Sequence, residues 1–304
     1  MKTYNSVGRG EWKNHNELSD SDWSQVPAKL AELGVSFAPI YGAEPLTRLD
    51  ALCNFIKGCS EVSLPNTVIT NGMLLNAKSI KLLKDAGLRS ITLSDDIISI
   101  DKQVSLKSNR SKQLLEVCKN NFEDVELIVT VNKQNLALLP SFIFDHKDNW
   151  IHFDFQHHDR KQPGCKCKGT EPIFSDEDNI EIRSLMLKVL SLKKLGYLIH
   201  PSIESLKLLA QKPDLVTNSN WICEPGSLLT LNSDGKVYGC DDFQPKDFSY
   251  DILEYKSWDW ETWVKDWSNR LLECPGCCWL THVQSSLWYK REDEQWKKEM
   301  VHYV

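Results

Sequence analysis

No stretch of the sequence supplies the roughly 20 consecutive apolar residues that a membrane-spanning helix needs, and Met1-Lys2-Thr3-Tyr4-Asn5 leads into polar sequence rather than the apolar core of a signal peptide. A membrane partner is therefore not expected, and the chain reads as cytoplasmic. An excess of basic charge is missing as well. The 36 Lys and Arg face 42 Asp and Glu, a net of -6, which leaves no electrostatic footprint for nucleic acid. No internal repeat or low-complexity tract stands out, which sets aside a repeat architecture. What the chain does have is cysteine, ten in 304 residues. Disulfides do not persist in a reducing compartment, so this many thiols point to metal ligation or chemistry. The length suits one large domain or two smaller ones with a sizeable core.

Four of the cysteines are placed with purpose. Cys223 precedes and Cys240 ends a hairpin whose turn is Asn232-Ser233-Asp234-Gly235, and Cys274-Pro-Gly-Cys277 lies downstream. The hairpin delivers one pair of thiols and the tight CxxC turn the other, so the quartet can close around one metal centre. Spacing leaves two occupants open, an iron-sulfur cluster or a zinc ion stapling a small fold. Cys278 adjoins Cys277, and neighbouring side chains do not both reach one centre easily, so it reads as a buried thiol.

Upstream, helical patterns alternate with β-rich runs at 35–40, 67–70, 90–93, 125–131 and 150–155, the signature of βα units around a parallel sheet. Apolar residues at three- and four-residue spacing predict a helix opening near Asp22, and helices over 50–57, 77–86, 112–119 and 136–146. In such folds ligands sit beyond the carboxyl ends of the strands, so the loops after Ile40, Ile69, Leu93 and Val131 should share one face. Residues 156–175 are polar and broken by Pro and Gly, which reads as a loop or boundary. Helices over 176–195 and 203–211 come next, then the hairpin strands 228–231 and 236–238. A last helix carries Trp260, Trp263, Val264, Trp267 and Leu271 on one face and ends at the Cys274 turn. The division expected is 1–155 for the barrel core, 156–220 for a linking segment and 221–304 for a metal-binding domain.

Three short motifs sit on the shared face. In Gly42-Ala43-Glu44-Pro45 the small pair lets backbone approach a ligand and Glu44 can accept hydrogen bonds from an ammonium group; the alternative is an ordinary βα turn. Thr70-Asn71-Gly72 is by itself a common turn, in which Asn71 serves as a cap. Ser94-Asp95-Asp96 offers a hydroxyl and carboxylates to a polar ligand, or caps a helix. His157-His158-Asp159 reads as solvated loop, because adjacent histidines face apart in extended chain. Cys165-Lys166-Cys167 lacks a nearby CxxC to complete a second centre. Trp279, Trp288 and Trp296 read as core or shielding for the metal centre.

In the order and spacing of these motifs the chain resembles the radical S-adenosylmethionine superfamily over nearly its whole length, among members with a C-terminal twitch or SPASM-type domain. Gly42-Ala43-Glu44-Pro45 looks like the family's GGEP motif, with Ala43 in place of its second glycine, and implies that Glu44 meets the methionine amino group of S-adenosylmethionine. Thr70-Asn71-Gly72 matches the family's TNG. Ser94-Asp95 is similar to its segment near the cofactor carboxylate and ribose, and Asn132 to the next strand end beside the cofactor. The resemblance implies an auxiliary 4Fe-4S cluster on Cys223, Cys240, Cys274 and Cys277, zinc being the alternative.

The fold so implied is α/β, a partial (β/α) barrel of the radical SAM type lacking its first strand, with a small α+β cysteine-rich domain after it. The family's CxxxCxxC, which holds the cluster that cleaves the cofactor, is absent, and Met1 begins roughly where it would end. Loss of motif and strand together suggests a truncated chain. The activity implied is hydrogen abstraction by a 5′-deoxyadenosyl radical from an unknown small-molecule or peptide substrate, with an electron donor protein as partner. The rival is a non-catalytic relative or zinc-stapled protein acting as partner or scaffold.

Overall fold

The computed structural model describes the backbone of residues 2–3 and residues 17–42, 44–94, 109–156, 174–245, 247–248 and 250–289, the side chains of 109–112 excepted. Ala43, Asp95, Asp96, His157, His158, Asp159, Cys165, Cys167 and Trp296 lie outside these described residues.

One sheet organises the chain. Its strands are β1 (Lys2–Thr3), β2 (Ala38–Ile40), β3 (Asn66–Thr70), β4 (Ser90–Ser94), β5 (Asp124–Val131), β6 (Trp150–Phe155), β7 (Thr230–Leu231) and β8 (Val237–Tyr238). They run in the order β6-β5-β4-β3-β2-β1-β7-β8. Every pairing is parallel except that of the β7–β8 hairpin. The strands β2 to β6 are those the residue pattern predicts, with β2 starting three residues later than the expected 35–40. Two residues are too few to carry a period, and β1 is not among the strands that the sequence predicts.

Helices cross between the strands: α1 (Asp20–Glu32), α2 (Leu49–Glu61), α3 (Ala77–Asp85), α4 (Asn109–Lys119) and α5 (Leu139–Asp145). Ser19 and Asp22 form a capping box that starts α1. The stretch expected as one helix over 136–146 is a 3-10 turn, Leu136–Leu138, and then α5. Pro140 explains the break, since a proline lacking N–H fits the first turn of a helix and not its interior.

The sheet has two unlike faces. Val68, Ile91, Leu93, Leu127, Val129, Val131, Ile151, Phe153 and Phe155 are buried in the main core. Their neighbours in sequence, Thr67, Ser90, Thr92, Glu126, His152 and Asp154, point to the other face, because successive strand residues alternate. A parallel strand covered on both sides normally reads as a continuous apolar run. Polar residues here mark the second face as the lining of a barrel interior.

Beyond β6 come α6 (Asn179–Lys194), α7 (Ile203–Gln211), α8 (Asp214–Thr217), α9 (Trp260–Leu271) and α10 (Leu280–Tyr289). Through β7, which pairs with β1, the hairpin extends the barrel sheet. On α9, Trp260 stacks on Trp263 and Trp263 on Trp267, with ring centroids 4.8 and 6.0 Å apart. Trp263, Trp267 and Leu271 are buried, as their spacing predicts. Among the described residues no helix is long and apolar enough to cross a membrane.

Candidate functional site

At the carboxyl end of β2 the chain turns through Gly42 and Glu44 into a short 3-10 helix, Pro45–Arg48. Glu44 caps that helix and reaches across to the next strand end. Its Oε1 accepts from the Leu46 amide at 3.2 Å and from the Thr70 hydroxyl at 2.7 Å, and its Oε2 accepts from the Asn71 amide at 3.1 Å. The Gly72 amide in turn donates to Thr70 Oγ1 at 3.0 Å. Two motifs far apart in sequence thus form one structure, because parallel pairing of β2 with β3 sets their ends side by side. Each carboxylate oxygen has two acceptor directions, so Oε2 keeps capacity for a cationic donor.

The remaining strand ends give plainer results. Asn71 Oδ1 accepts from the Met73 amide at 2.8 Å, and Asn132 Oδ1 accepts from the amides of Gln134 and Asn135 at 2.9 and 3.0 Å. Both asparagines order their own turns, the role such residues commonly play. Ser94 is exposed at the end of β4.

Two of the four predicted thiols meet in the C-terminal part, and a third lies within their electrostatic reach. Trp221 and Cys277 form an antiparallel bridge with backbone bonds of 3.0 and 3.1 Å, which brings Cys223 against Cys277. Contact with Cys223, then burial, holds the Cys277 thiol well above its ordinary value. Burial, then Asp241 and Asp242, raises Cys240, whose field is also felt from Cys277. The amides of Asp242 and Phe243 donate to Cys240 Sγ at 3.3 Å, and the Gly276 amide donates to Cys274 Sγ at 3.4 Å. Half-buried Cys274 completes the CxxC turn. Soft thiols that accept backbone N–H bonds suit an iron-sulfur cluster. Cys278 is 2% exposed, as its expected role of buried thiol requires.

A polar chain links the quartet to the barrel. Cys277 Sγ lies 3.6 Å from His282 Nδ1, and His282 Nε2 lies 3.7 Å from Asp241 Oδ2. Asp241 accepts from Thr230 Oγ1 at 2.7 Å and from the hydroxyl of Tyr41, three residues before Glu44. Burial, then Asp241, lifts the Tyr41 phenol well above its ordinary value. The Trp279 indole donates to Asp242 at 2.5 Å, which puts one predicted shielding tryptophan beside the cysteines.

One group of side chains is not predicted from the sequence at all. On the inner face, Glu126 of β5, His152 of β6 and His200 converge, with His200 Nδ1 2.7 Å from Glu126 Oε1. Burial would raise the Glu126 carboxyl, but His200 and His152 outweigh it and hold the group well below its ordinary value. For His152 burial lowers and bonds to Asp154 and Glu126 raise, leaving it at about 9. Burial lowers His200. The signal available was polar residues at alternate positions in otherwise apolar strands; no spacing rule joins 126, 152 and 200.

No protein-family model matches the chain. Among curated proteins, PqqA peptide cyclase of Bradyrhizobium diazoefficiens is 34% identical over 137 residues, covering 43% of this chain and 36% of that protein. GTP 3′,8-cyclase of Lactiplantibacillus plantarum is 30% identical over 149 residues, 45% of this chain and 43% of that one. The chain spans about a third of the length of the first of these curated relatives. Among solved structures, native anSMEcpe with bound AdoMet and Cp18Cys peptide aligns over 100% of this chain and 96% of its own, at 14% identity and a TM-score of 0.62. Streptococcus suis SuiB bound to precursor peptide SuiA covers 84% of this chain and 59% of its own, at 16% identity and a TM-score of 0.56. These two likenesses are of fold.

Proposed function

We propose that this chain, which belongs to the radical S-adenosylmethionine superfamily, binds S-adenosylmethionine at the carboxyl ends of its barrel strands and serves in the modification of a peptide. In this reading Glu44 takes the methionine ammonium group. Gly42, Ala43, Pro45, Thr70, Asn71, Ser94, Asp95 and Asn132 line the rest of the cofactor's place. Cys223, Cys240, Cys274 and Cys277 hold one auxiliary iron-sulfur cluster in the segment 221–304, and an electron donor protein is the partner. The observation that carries the reading is Glu44, fixed by the Leu46 amide and by two donors of Thr70-Asn71-Gly72 at the edge where barrel ligands bind. A peptide substrate is supported by similarity to PqqA peptide cyclase and by the peptide-bound fold neighbours.

When bound at a reduced cluster, S-adenosylmethionine supplies a 5′-deoxyadenosyl radical for hydrogen abstraction. The sequence contains no CxxxCxxC, so these residues do not provide the thiolates for that cleavage. Their part is to bind and orient. Thr70 and the Asn71 amide aim the Glu44 carboxylate.

Iron-sulfur occupancy is favoured over zinc by the likeness to radical S-adenosylmethionine proteins, since the thiol spacing suits either. Calorimetric titration with S-adenosylmethionine tests the cofactor site. Glu44→Gln should weaken binding roughly 10–100-fold, the worth of a charge-assisted hydrogen bond, and an unchanged affinity overturns the assignment. Anaerobically prepared protein should carry iron with acid-labile sulfide that Cys274→Ser and Cys277→Ser remove. Zinc without sulfide overturns the cluster.

A further inference from the structure

Backbone pairing, not chance, brings Glu126, His152 and His200 together. Parallel register sets Ile128 beside His152 and Thr92 beside Glu126, so Glu126 and His152 share the inner face. His200 enters from the segment between α6 and α7, where Ile199 bridges to Ile151 in parallel and the His200 amide donates to the Ile151 carbonyl at 2.8 Å. Three separate stretches of chain therefore deliver one side chain each to one point. The side chains retain 6% (Glu126), 13% (His152) and 11% (His200) of their exposure.

The three donor atoms form a small triangle. His152 Nδ1 lies 3.0 Å from His200 Nδ1, His200 Nδ1 lies 2.7 Å from Glu126 Oε1, and His152 Nδ1 lies 3.7 Å from that oxygen. Two ring nitrogens and a carboxylate oxygen crowd one point, and one proton satisfies two of the three contacts at most. A single cation satisfies all of them. Ligand bonds of about 2.0–2.1 Å place neighbouring donor atoms roughly 3–3.5 Å apart, and the separations of 2.7, 3.0 and 3.7 Å lie on either side of that range.

The outer partners are in place as well. Thr92 Oγ1 donates to Glu126 Oε2 at 2.9 Å, which leaves Oε1 to face the imidazoles. His152 Nε2 lies 3.4 Å from Thr281 Oγ1, and that hydroxyl donates to Asp154 Oδ2 at 3.2 Å. Asp154 is itself fixed by the Leu280 amide at 2.6 Å. With Nε2 directed along that chain, Nδ1 is the atom of His152 that faces the triangle. A carboxylate behind a ligating histidine is the usual second layer of a metal site.

We propose that Glu126, His152 and His200 bind one divalent first-row transition metal ion, zinc or cobalt, on the inner face of the barrel. Two imidazoles and one carboxylate, without thiolate, suit such an ion rather than calcium, magnesium or a cluster. Three protein ligands leave a position for water or for a donor atom of the substrate. The site shares no residue with the cysteine quartet or with the Glu44 edge.

The test is cobalt binding to the chelator-stripped 304-residue chain, read by visible absorption. Thiolate-bound cobalt shows sulfur-to-metal charge transfer; the ion proposed here shows d–d bands without it. One such cobalt per chain is expected, weakened more than ~100-fold in His200→Gln and Glu126→Gln and about 10–100-fold in Asp154→Asn, with the thiolate bands unchanged. Anomalous diffraction from cobalt-soaked crystals of the unaltered protein gives an answer independent of whether the variants fold, and a peak between the three side chains is expected. Cobalt bound only with the thiolate signature, or retained in His200→Gln, overturns the proposal.

Discussion

Gly276 sits inside the Cys274–Cys277 turn at φ +82°, and a Cβ there would lie 2.7 Å from the Ser219 carbonyl oxygen. Both the backbone conformation and the space demand glycine. Gly276→Ala is expected to cost about 1–3 kcal/mol in urea denaturation and to lower the iron bound per chain, because the turn aims both thiols. Gly239, beside Cys240, is confined differently: a Cβ there would collide with the Trp267 indole. At this scale the sequence announced the cysteines through their spacing, and the turn residues Pro275 and Gly276 told how the last pair is presented. Of Glu126, His152 and His200 it gave only polar residues in otherwise apolar strands, because their separation along the chain hides a contact that only strand pairing makes.

Among the elements, the entry to α6 carries a testable charge. Asp178 Oδ2 accepts from the Ser175 amide at 2.7 Å and its Oδ1 lies 2.9 Å from Lys133 Nζ, tying the helix to the loop after β5. Burial would raise the Asp178 carboxyl, but Lys133 and Ser175 outweigh it and keep the group below its ordinary value. The folded state therefore holds this proton less tightly than the unfolded chain. Its contribution is fully present above the ordinary carboxylate range and is lost as pH falls through the lowered value. Denaturation midpoints measured from neutral pH into the acid range should fall less steeply for Asp178→Asn than for the unaltered protein.

The elements were also the most legible level. The strand predicted over 150–155 is β6 to the residue, and the helix predicted over 203–211 is α7, since apolar periodicity states its own limits. The break at Pro140 shows where periodicity misleads, because it records which face is buried and not how the backbone turns.

Across the whole molecule, the barrel and the cysteine-rich segment are joined by buried polar contacts. Tyr41, at the end of β2, donates to Asp241 beside Cys240, and the Ser202 amide donates to Gln284 of α10 at 2.6 Å. Asp241 is 4% exposed, so removing a donor leaves buried charge less satisfied. Tyr41→Phe should cost about 1–3 kcal/mol in chemical denaturation and hasten proteolysis within 221–289 relative to the barrel strands. Equal protection of both regions would show that Asp241 is held by Thr230 alone. The sequence by itself determined the parallel βα order and the faces of the helices, because each rests on residues near one another in the chain. The tertiary structure alone decided that Glu44 is held by Thr70, that Tyr41 reaches Asp241, and that a carboxylate and two imidazoles meet inside the barrel. Those contacts depend on strand register and on where the chain returns, and hydrophobic periodicity carries neither.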